Sequence, residues 1–149
     1  MNKSKKAVEC FNNNFNCCQA ILATYGPEFG LSEETALKLA TGFGAGISYT
    51  GNTCGAVTGA LMVIGLKHGK VKAGDDTAKE KTNYLCNKFI SEFEEKNGSV
   101  ICNKLLNIDI SNRDELEMAK EKMLFTTLCP KLVDSSGKIL EKILKNENK

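Results

Sequence analysis

The chain has 149 residues, a length that fits one ordinary domain. Hydrophobic residues make up 42% of it and charged residues 26%, as in typical globular proteins, and the net charge is only +2. So weak a charge, scattered among both signs, excludes nucleic acid as a partner, because nucleic-acid-binding domains concentrate Lys and Arg on one surface. We expect a single cysteine-rich helical domain over residues 1–149, with an ordered core from about 5 to 145.

The longest apolar run, from Cys54 to Leu66, counts thirteen residues. As a helix it would be about 20 Å long, whereas the hydrocarbon core of a bilayer is about 30 Å thick. The N-terminal residues MNKSKKAVECF carry charge but no apolar stretch or cleavage site typical of a secretory signal. We therefore expect no membrane partner and a cytoplasmic location, where thiols are kept reduced.

Apolar positions recur with helical spacing along nearly the whole chain. The pattern predicts helices near residues 4–14, 17–25, 32–41, 53–68 and 77–96 and a last helix from Pro130, with short helical segments between 102 and 123. Ser32 and either Ser111 or Asn112 are typical N-cap residues. No segment alternates like a strand, so the sequence predicts an all-α, single-domain bundle of six to seven helices around a central, buried, glycine-flanked helix.

Four glycines occur within the ten residues GFGAGISYTG that precede the central helix, starting at Gly42. Glycine permits positive φ angles and close backbone approach. The segment lacks the Lys-Ser/Thr of a phosphate-binding loop and follows no strand, so it is not a nucleotide motif. We predict that Gly44, Gly46 and Gly55 form a binding surface beside Cys54. The alternative is that Gly55 and Gly59 only let another helix pack closely.

Seven cysteines with wide spacing fit no compact disulfide scaffold. Four of them stand at predicted helix N-termini, where unpaired N–H groups and a partial positive charge favour a thiolate. These are Cys17 after Asn16, Cys54 at the start of the central helix, Cys102 in a first turn capped by Ser99, and Cys129 as N-cap before Pro130. We predict that they meet in one sulfur-lined site; the alternative for each is a buried core thiol.

The remaining candidates favour structural roles. Cys10 and Cys86 lie mid-helix on predicted inner faces, and Cys18 points about 100° away from Cys17 on the same helix. His68, the only histidine, falls in the last turn of the central helix, where a cationic side chain is favourable. One histidine so placed argues against a Cys–His protease.

Several of these segments resemble the C-GCAxxG-C-C family of small cysteine-rich proteins described as redox-active, and they cover about residues 5–145. The matching strings are FNCCQA from Phe15, GFGAG from Gly42, CGAVTGALM from Cys54, GSVICNKLL from Gly98 and CPKLV from Cys129. The resemblance implies an all-helical fold and a redox role for Cys17, Cys54, Cys102 and Cys129. Two departures stand out: Thr53 replaces the glycine before the central cysteine, and Cys18 stands where alanine is more typical.

The leading hypothesis is a thiol-based redox protein, similar to a thiol–disulfide oxidoreductase, that acts on a redox partner or a small molecule. Cys54 would be the low-pKa thiolate, Cys17 or Cys129 its nearest partner in a reversible disulfide, and Cys102 the fourth member of the cluster.

Two other classes of function stay open at this point. The same four sulfurs, Cys17, Cys54, Cys102 and Cys129, could bind zinc or an iron–sulfur cluster, although the sequence has no Cys-x-x-Cys pair. The chain could also be a structural helical bundle with buried thiols. In addition, Gly55-x-x-x-Gly59 could serve a subunit contact, which leaves a homodimer open.

Overall fold

The computed structural model describes residues 2–146. Within this range the chain forms eight α-helices of five residues or more and no strand, so the all-α prediction is confirmed. The helices are α1 (Lys3–Asn12), α2 (Cys17–Tyr25), α3 (Glu33–Ala40), α4 (Gly55–His68), α5 (Asp76–Asn97), α6 (Cys102–Leu106), α7 (Arg113–Glu121) and α8 (Cys129–Asn146).

Short polar side chains fix where several helices begin, as the sequence indicated. The Asn16 side chain accepts a hydrogen bond from the Gln19 N–H at 2.8 Å, and the Gln19 side chain accepts one from the Asn16 N–H at 2.9 Å. This reciprocal pair satisfies two N–H groups that the first turn of α2 would otherwise leave unpaired. Ser32 caps α3 and Asn112 caps α7 in the same manner, each with one side-chain bond.

The core lies between α2, α4, α5 and α8, with α4 at its centre. Apolar side chains from all four helices are fully buried there, among them Ile21, Val57, Ile64, Phe89, Phe93 and Ile139. Burial of each such side chain stabilises the fold by roughly 1.5–3 kcal/mol relative to exposure. No helix within residues 2–146 combines the length and the apolarity that crossing a membrane requires.

Two glycines of α4 allow α2 to approach it closely. A Cβ placed on Gly59 would lie 3.1 Å from the Cβ of Ile21 and 3.1 Å from the carbonyl oxygen of Cys18. A Cβ on Gly55 would lie only 2.8 Å from the backbone nitrogen of Cys18. The close-packing interpretation of Gly55 and Gly59 therefore describes a contact inside the fold, and this contact brings the N-terminal ends of α2 and α4 together.

Candidate functional site

A cavity of about 620 Å³ lies where the N-terminal ends of α2, α4, α6 and α8 meet. Its lining includes the four cysteines of the predicted site: Cys17, Cys54, Cys102 and Cys129. Each is at most 8% exposed, and each is a free thiol. The structure thus brings four sulfurs from distant parts of the sequence to one place.

The position of Cys17 is fixed by the start of α2. Asn16, beyond capping this helix, donates hydrogen bonds from Nδ2 to the carbonyl oxygens of Ala40 at 3.3 Å and Thr41 at 3.1 Å. These bonds connect the first turn of α2 to the end of α3. Cys17 is the first residue of α2. The prediction that Asn16 would place Cys17 at a helix start is correct.

Cys54 and Cys102 are held together by their backbones. The Cys54 N–H donates to the Val100 carbonyl at 2.8 Å, and the Cys102 N–H donates to the Asn52 carbonyl at 2.6 Å. These two bonds flank an isolated antiparallel bridge between Thr53 and Ile101. The short pairing joins two segments far apart in sequence, and sequence reasoning missed it because neither segment has the pattern of a strand.

The pairing also corrects the predicted cap of α6. Ser99 does not cap this helix; its Oγ instead accepts the Ile101 N–H at 3.0 Å, and Ile101 occupies the N-cap position. The physical reason is that the Cys102 N–H is already bonded to Asn52 across the bridge. Cys102 still stands at the first position of a helix.

Cys129 is the first residue of α8, one position further into the helix than the predicted N-cap. The Lys131 and Leu132 N–H groups donate to the Leu128 carbonyl, so the helical bonds begin one residue earlier than expected. Further along α8, the buried Ser136 Oγ donates to the Ala56 carbonyl at 2.7 Å. This bond joins α8 to the first turn of α4, which starts beside Cys54.

The electrostatics of the site distinguish Cys54 from Cys17. A hydrogen-bonding interaction with Cys17 is the main cause that lowers the pKa of Cys54; burial opposes it, and the N–H groups of Ala56 and Val57 add to it. The pKa of Cys17 is raised well above its usual range by interactions with the thiols of Cys129 and Cys54 and by burial. The opposite shifts mean that Cys54 loses its proton more readily than Cys17 does.

The thiols of Cys102 and Cys18 stay neutral at neutral pH. The pKa of Cys102 is raised to about 12, mainly by burial. Charge on Cys54 or Cys129 is a smaller cause of the same shift. Burial likewise raises the pKa of Cys18 to about 11, against a hydrogen bond with Thr58 that lowers it. A second thiolate beside Cys54 would bring like charges together in an apolar environment, which disfavours the ionisation of more than one thiol in the site.

The three glycines predicted as a binding surface line the cavity, and each also has a packing reason to be glycine. A Cβ on Gly44 would lie 2.7 Å from the Cβ of Asn16, and one on Gly46 would lie 2.7 Å from the Cβ of Cys102. A Cβ on Gly55 would lie 3.2 Å from the Cβ of Cys17. These glycines let the chain segments that carry the thiols approach one another; a contact with a bound molecule stays a prediction.

One wall of the cavity contains a left-handed turn. Five consecutive residues have positive φ angles: Ala45, Gly46, Ile47, Ser48 and Tyr49. Four of them have side chains, and each such residue costs roughly 1–2 kcal/mol in this conformation. Hydrogen bonds from the Asn52 N–H to the Gly46 carbonyl at 2.8 Å and from the Thr50 hydroxyl to the same carbonyl at 2.7 Å hold the turn closed.

The arrangement does not meet the requirements of a metal centre. Among residues 2–146, no group of three or more Cys, His, Asp or Glu side chains is placed so that it could hold a metal ion. His68 lies in the last turn of α4, and the cavity adjoins the first turn of that helix. The zinc or iron–sulfur interpretation of Cys17, Cys54, Cys102 and Cys129 therefore finds no support in the geometry.

The remaining cysteines lie outside the cavity lining. Cys10 on α1 and Cys86 on α5 are half-buried, and burial raises the pKa of both. Cys18, which follows Cys17 in α2, is fully buried. These three positions agree with the structural roles that the sequence indicated for them.

Comparison with protein-family models gives a match over most of the chain. The model of the family described as "Putative redox-active protein (C_GCAxxG_C_C)" matches residues 15–143, most of the chain and all four cavity cysteines. No curated protein and no solved structure matches the chain significantly.

Proposed function

The chain belongs to this C_GCAxxG_C_C family, and on that premise we propose that it is a thiol-based redox protein whose reactive group is the thiolate of Cys54. The observation that carries the proposal is the contrast between two neighbouring thiols. The pKa of Cys54 is lowered through its interaction with Cys17, while the pKa of Cys17 is raised. Cys54 is thereby the sulfur that more readily becomes the attacking thiolate, and Cys17 stabilises that thiolate through a hydrogen bond.

The proposed reaction forms a disulfide between Cys54 and Cys17. The Cys54 thiolate attacks a sulfur of an oxidant disulfide, the attacked S–S bond breaks, and the leaving thiolate takes the Cys17 proton. Cys17 then attacks the Cys54 sulfur of the mixed disulfide and releases the second half of the oxidant, which takes a proton from solvent. Two protein thiols lose two electrons, and the oxidant gains them as two thiols.

Cys129 gives the cluster a third exchangeable thiol. It interacts with Cys17, which also interacts with Cys54. We propose that Cys129 loses its proton to solvent and attacks Cys17 in the Cys17–Cys54 disulfide. The Cys17–Cys54 bond breaks, a Cys17–Cys129 bond forms, and Cys54 returns to the thiolate. Cys102, whose thiol stays neutral, would complete the wall of the site. This chemistry suits a reducing compartment, and we propose the cytoplasm.

Mapping of disulfides by mass spectrometry tests the proposal. The protein is equilibrated in buffers of graded ratios of reduced to oxidised dithiothreitol, quenched in acid and digested. We expect a Cys17–Cys54 or Cys17–Cys129 disulfide to appear over a defined range of potential. Cys54→Ser should remove the first of these, and Cys86→Ser, at a half-buried position outside the cavity, should leave both unchanged.

The outcome that overturns the proposal is a chain whose four cavity cysteines remain reduced in every buffer. That result would favour the structural alternative, in which the thiols only pack. Circular dichroism of each serine variant would show whether the helical fold is retained.

A further inference from the structure

The cavity that Cys17, Cys54, Cys102 and Cys129 line has no charged side chain among its described lining residues. Although 26% of the residues of the chain are charged, none of the 22 described residues that line this cavity is Asp, Glu, Lys, Arg or His. Its polar side chains are amides and hydroxyls: Asn12, Asn14, Asn16, Gln19, Thr41, Ser48, Tyr49 and Thr126. A molecule that enters the cavity thus loses hydration without meeting a charged side chain among these residues, apart from the Cys54 thiolate that the proposed function requires.

Aromatic rings form much of the apolar part of this lining: Phe11, Phe15, Tyr49 and Phe125. Phe15 is 37% exposed and Tyr49 is 53% exposed, so these two rings stand at the mouth of the cavity. Exposed aromatic rings beside an opening provide contact area for planar or apolar groups at low entropic cost. The rim therefore favours an aromatic or apolar molecule.

The charges that act on the buried thiols give a second indication. For Cys17 and Cys102, the charged groups that influence the pKa are other cavity cysteines. Cys10, outside the cavity, is by contrast influenced by Glu33. An anionic substrate would find no cationic side chain among the lining residues to offset its desolvation. The partial positive charge of the helix N-termini would already act on the Cys54 thiolate that the proposed function requires.

From the uncharged lining and the aromatic rim we infer that the substrate is an uncharged small-molecule disulfide that carries an aromatic or apolar group. This inference rests on the proposed function. A volume of about 620 Å³ lies within the range of about 300–1,000 Å³ typical of small-molecule sites. In the overall reaction, two protein thiols and one disulfide R–S–S–R′ yield the Cys17–Cys54 disulfide, RSH and R′SH.

Two coloured disulfide reagents test this selectivity. Dithiodipyridine is uncharged and aromatic, whereas dithiobis(nitrobenzoate) is aromatic and carries two negative charges. Reaction rates are measured for a Cys10→Ser/Cys86→Ser protein, which removes the half-buried thiols outside the cavity. Each rate is divided by that of the same reagent with a free, uncharged cysteine derivative. We expect the divided rate to be at least ~10-fold higher for the uncharged reagent, since the anion must be desolvated beside a thiolate.

A matched pair of variants locates the effect in the cavity. Thr126 and Thr127 are both exposed, and the hydroxyls of both donate to the Met123 carbonyl, but only Thr126 lines the cavity. Thr126→Lys should raise the rate with the anionic reagent several-fold relative to Thr127→Lys. Equal divided rates for the two reagents, or equal effects of the two lysines, would overturn the inference.

The two proposals fail in different ways. If Cys54→Ser leaves the rates with both reagents unchanged, Cys54 is not the nucleophile and the proposed function is wrong. If Cys54→Ser abolishes the fast reaction but both reagents have the same divided rate, the redox function stands and the substrate class alone is wrong.

Discussion

A Cβ on Gly55 would lie 3.2 Å from the Cβ of Cys17, closer than most side-chain contacts allow. The same added carbon would lie 3.0 Å from the carbonyl oxygen of Phe43. The surroundings of Gly55 are thus largely backbone, which cannot move aside as a flexible side chain can. Because α2 and α4 touch at this point, the glycine lets the helix starts that carry Cys17 and Cys54 approach each other.

We therefore expect Gly55→Ala to lower the free energy of unfolding by about 1–3 kcal/mol, as overpacking of a buried contact does. It should also reduce formation of the Cys17–Cys54 disulfide. Gly65→Ala is the matched control, because Gly65 lies on the same helix and a Cβ there meets no atom within 4 Å. Urea denaturation of both variants checks the expectation, and equal stabilities would contradict it.

The pKa of Cys54 should depend on Cys17, because its interaction with that thiol is the main cause of the lowered value. The rate of Cys54 alkylation by iodoacetamide, followed by mass spectrometry, should have its midpoint below the ordinary thiol pKa of about 8.5. Cys17→Ala should move the midpoint to higher pH, whereas Cys86→Ala should not. An unshifted midpoint in Cys17→Ala would mean that Cys17 does not stabilise the thiolate.

The parts of this structure that were predicted correctly are those encoded within a few neighbouring residues. Asn16 and Ser32 cap helices because their side chains reach an N–H group three residues ahead. The apolar run from Cys54 to Leu66 identified the central buried helix, because this signal is also contained in neighbouring residues. Four helix starts with a cysteine at or beside them, together with the family resemblance, then indicated where to expect a shared site.

One part that was missed depends on a contact between distant segments. The bridge of Thr53 with Ile101 has no local signal, and it overrides the capping preference of Ser99. The left-handed turn is missed for a different reason, since Ile47 and Tyr49 disfavour positive φ when considered alone. Only the surrounding hydrogen bonds hold such residues in that conformation.

Stability should fall in alkaline solution because of the buried thiols. The pKa of Cys18 is about 11 and that of Cys102 about 12 in the folded protein, against about 8.5 in an unfolded chain. Above pH 8.5 the unfolded state releases these protons while the folded state keeps them, so the stabilisation is lost as pH rises toward the folded values. Each group contributes at most about 1.4 kcal/mol per pH unit.

The matching measurement is the free energy of unfolding between pH 8.5 and 10.5. Cys102→Ala should make its fall with pH shallower. Val133→Ala, which removes a buried side chain that does not titrate, should lower stability without changing the slope. Parallel slopes for the wild-type protein and Cys102→Ala would contradict the assignment of a raised pKa to Cys102.

The left-handed turn gives a test in which neighbouring substitutions have opposite signs. Ala45 has φ 53° and ψ 46°, a conformation that glycine adopts at little cost. Ala45→Gly should therefore raise the free energy of unfolding by about 0.5–1 kcal/mol. This figure is the strain that glycine relieves minus the effect of the entropy that glycine adds to the unfolded chain. At the next position a Cβ would lie 2.6 Å from the Asn52 backbone nitrogen and 2.7 Å from the Cys102 Cβ. Gly46→Ala should accordingly destabilise the protein and displace Cys102 from the cavity. Urea denaturation measures both variants, and equal effects on stability would contradict the left-handed conformation.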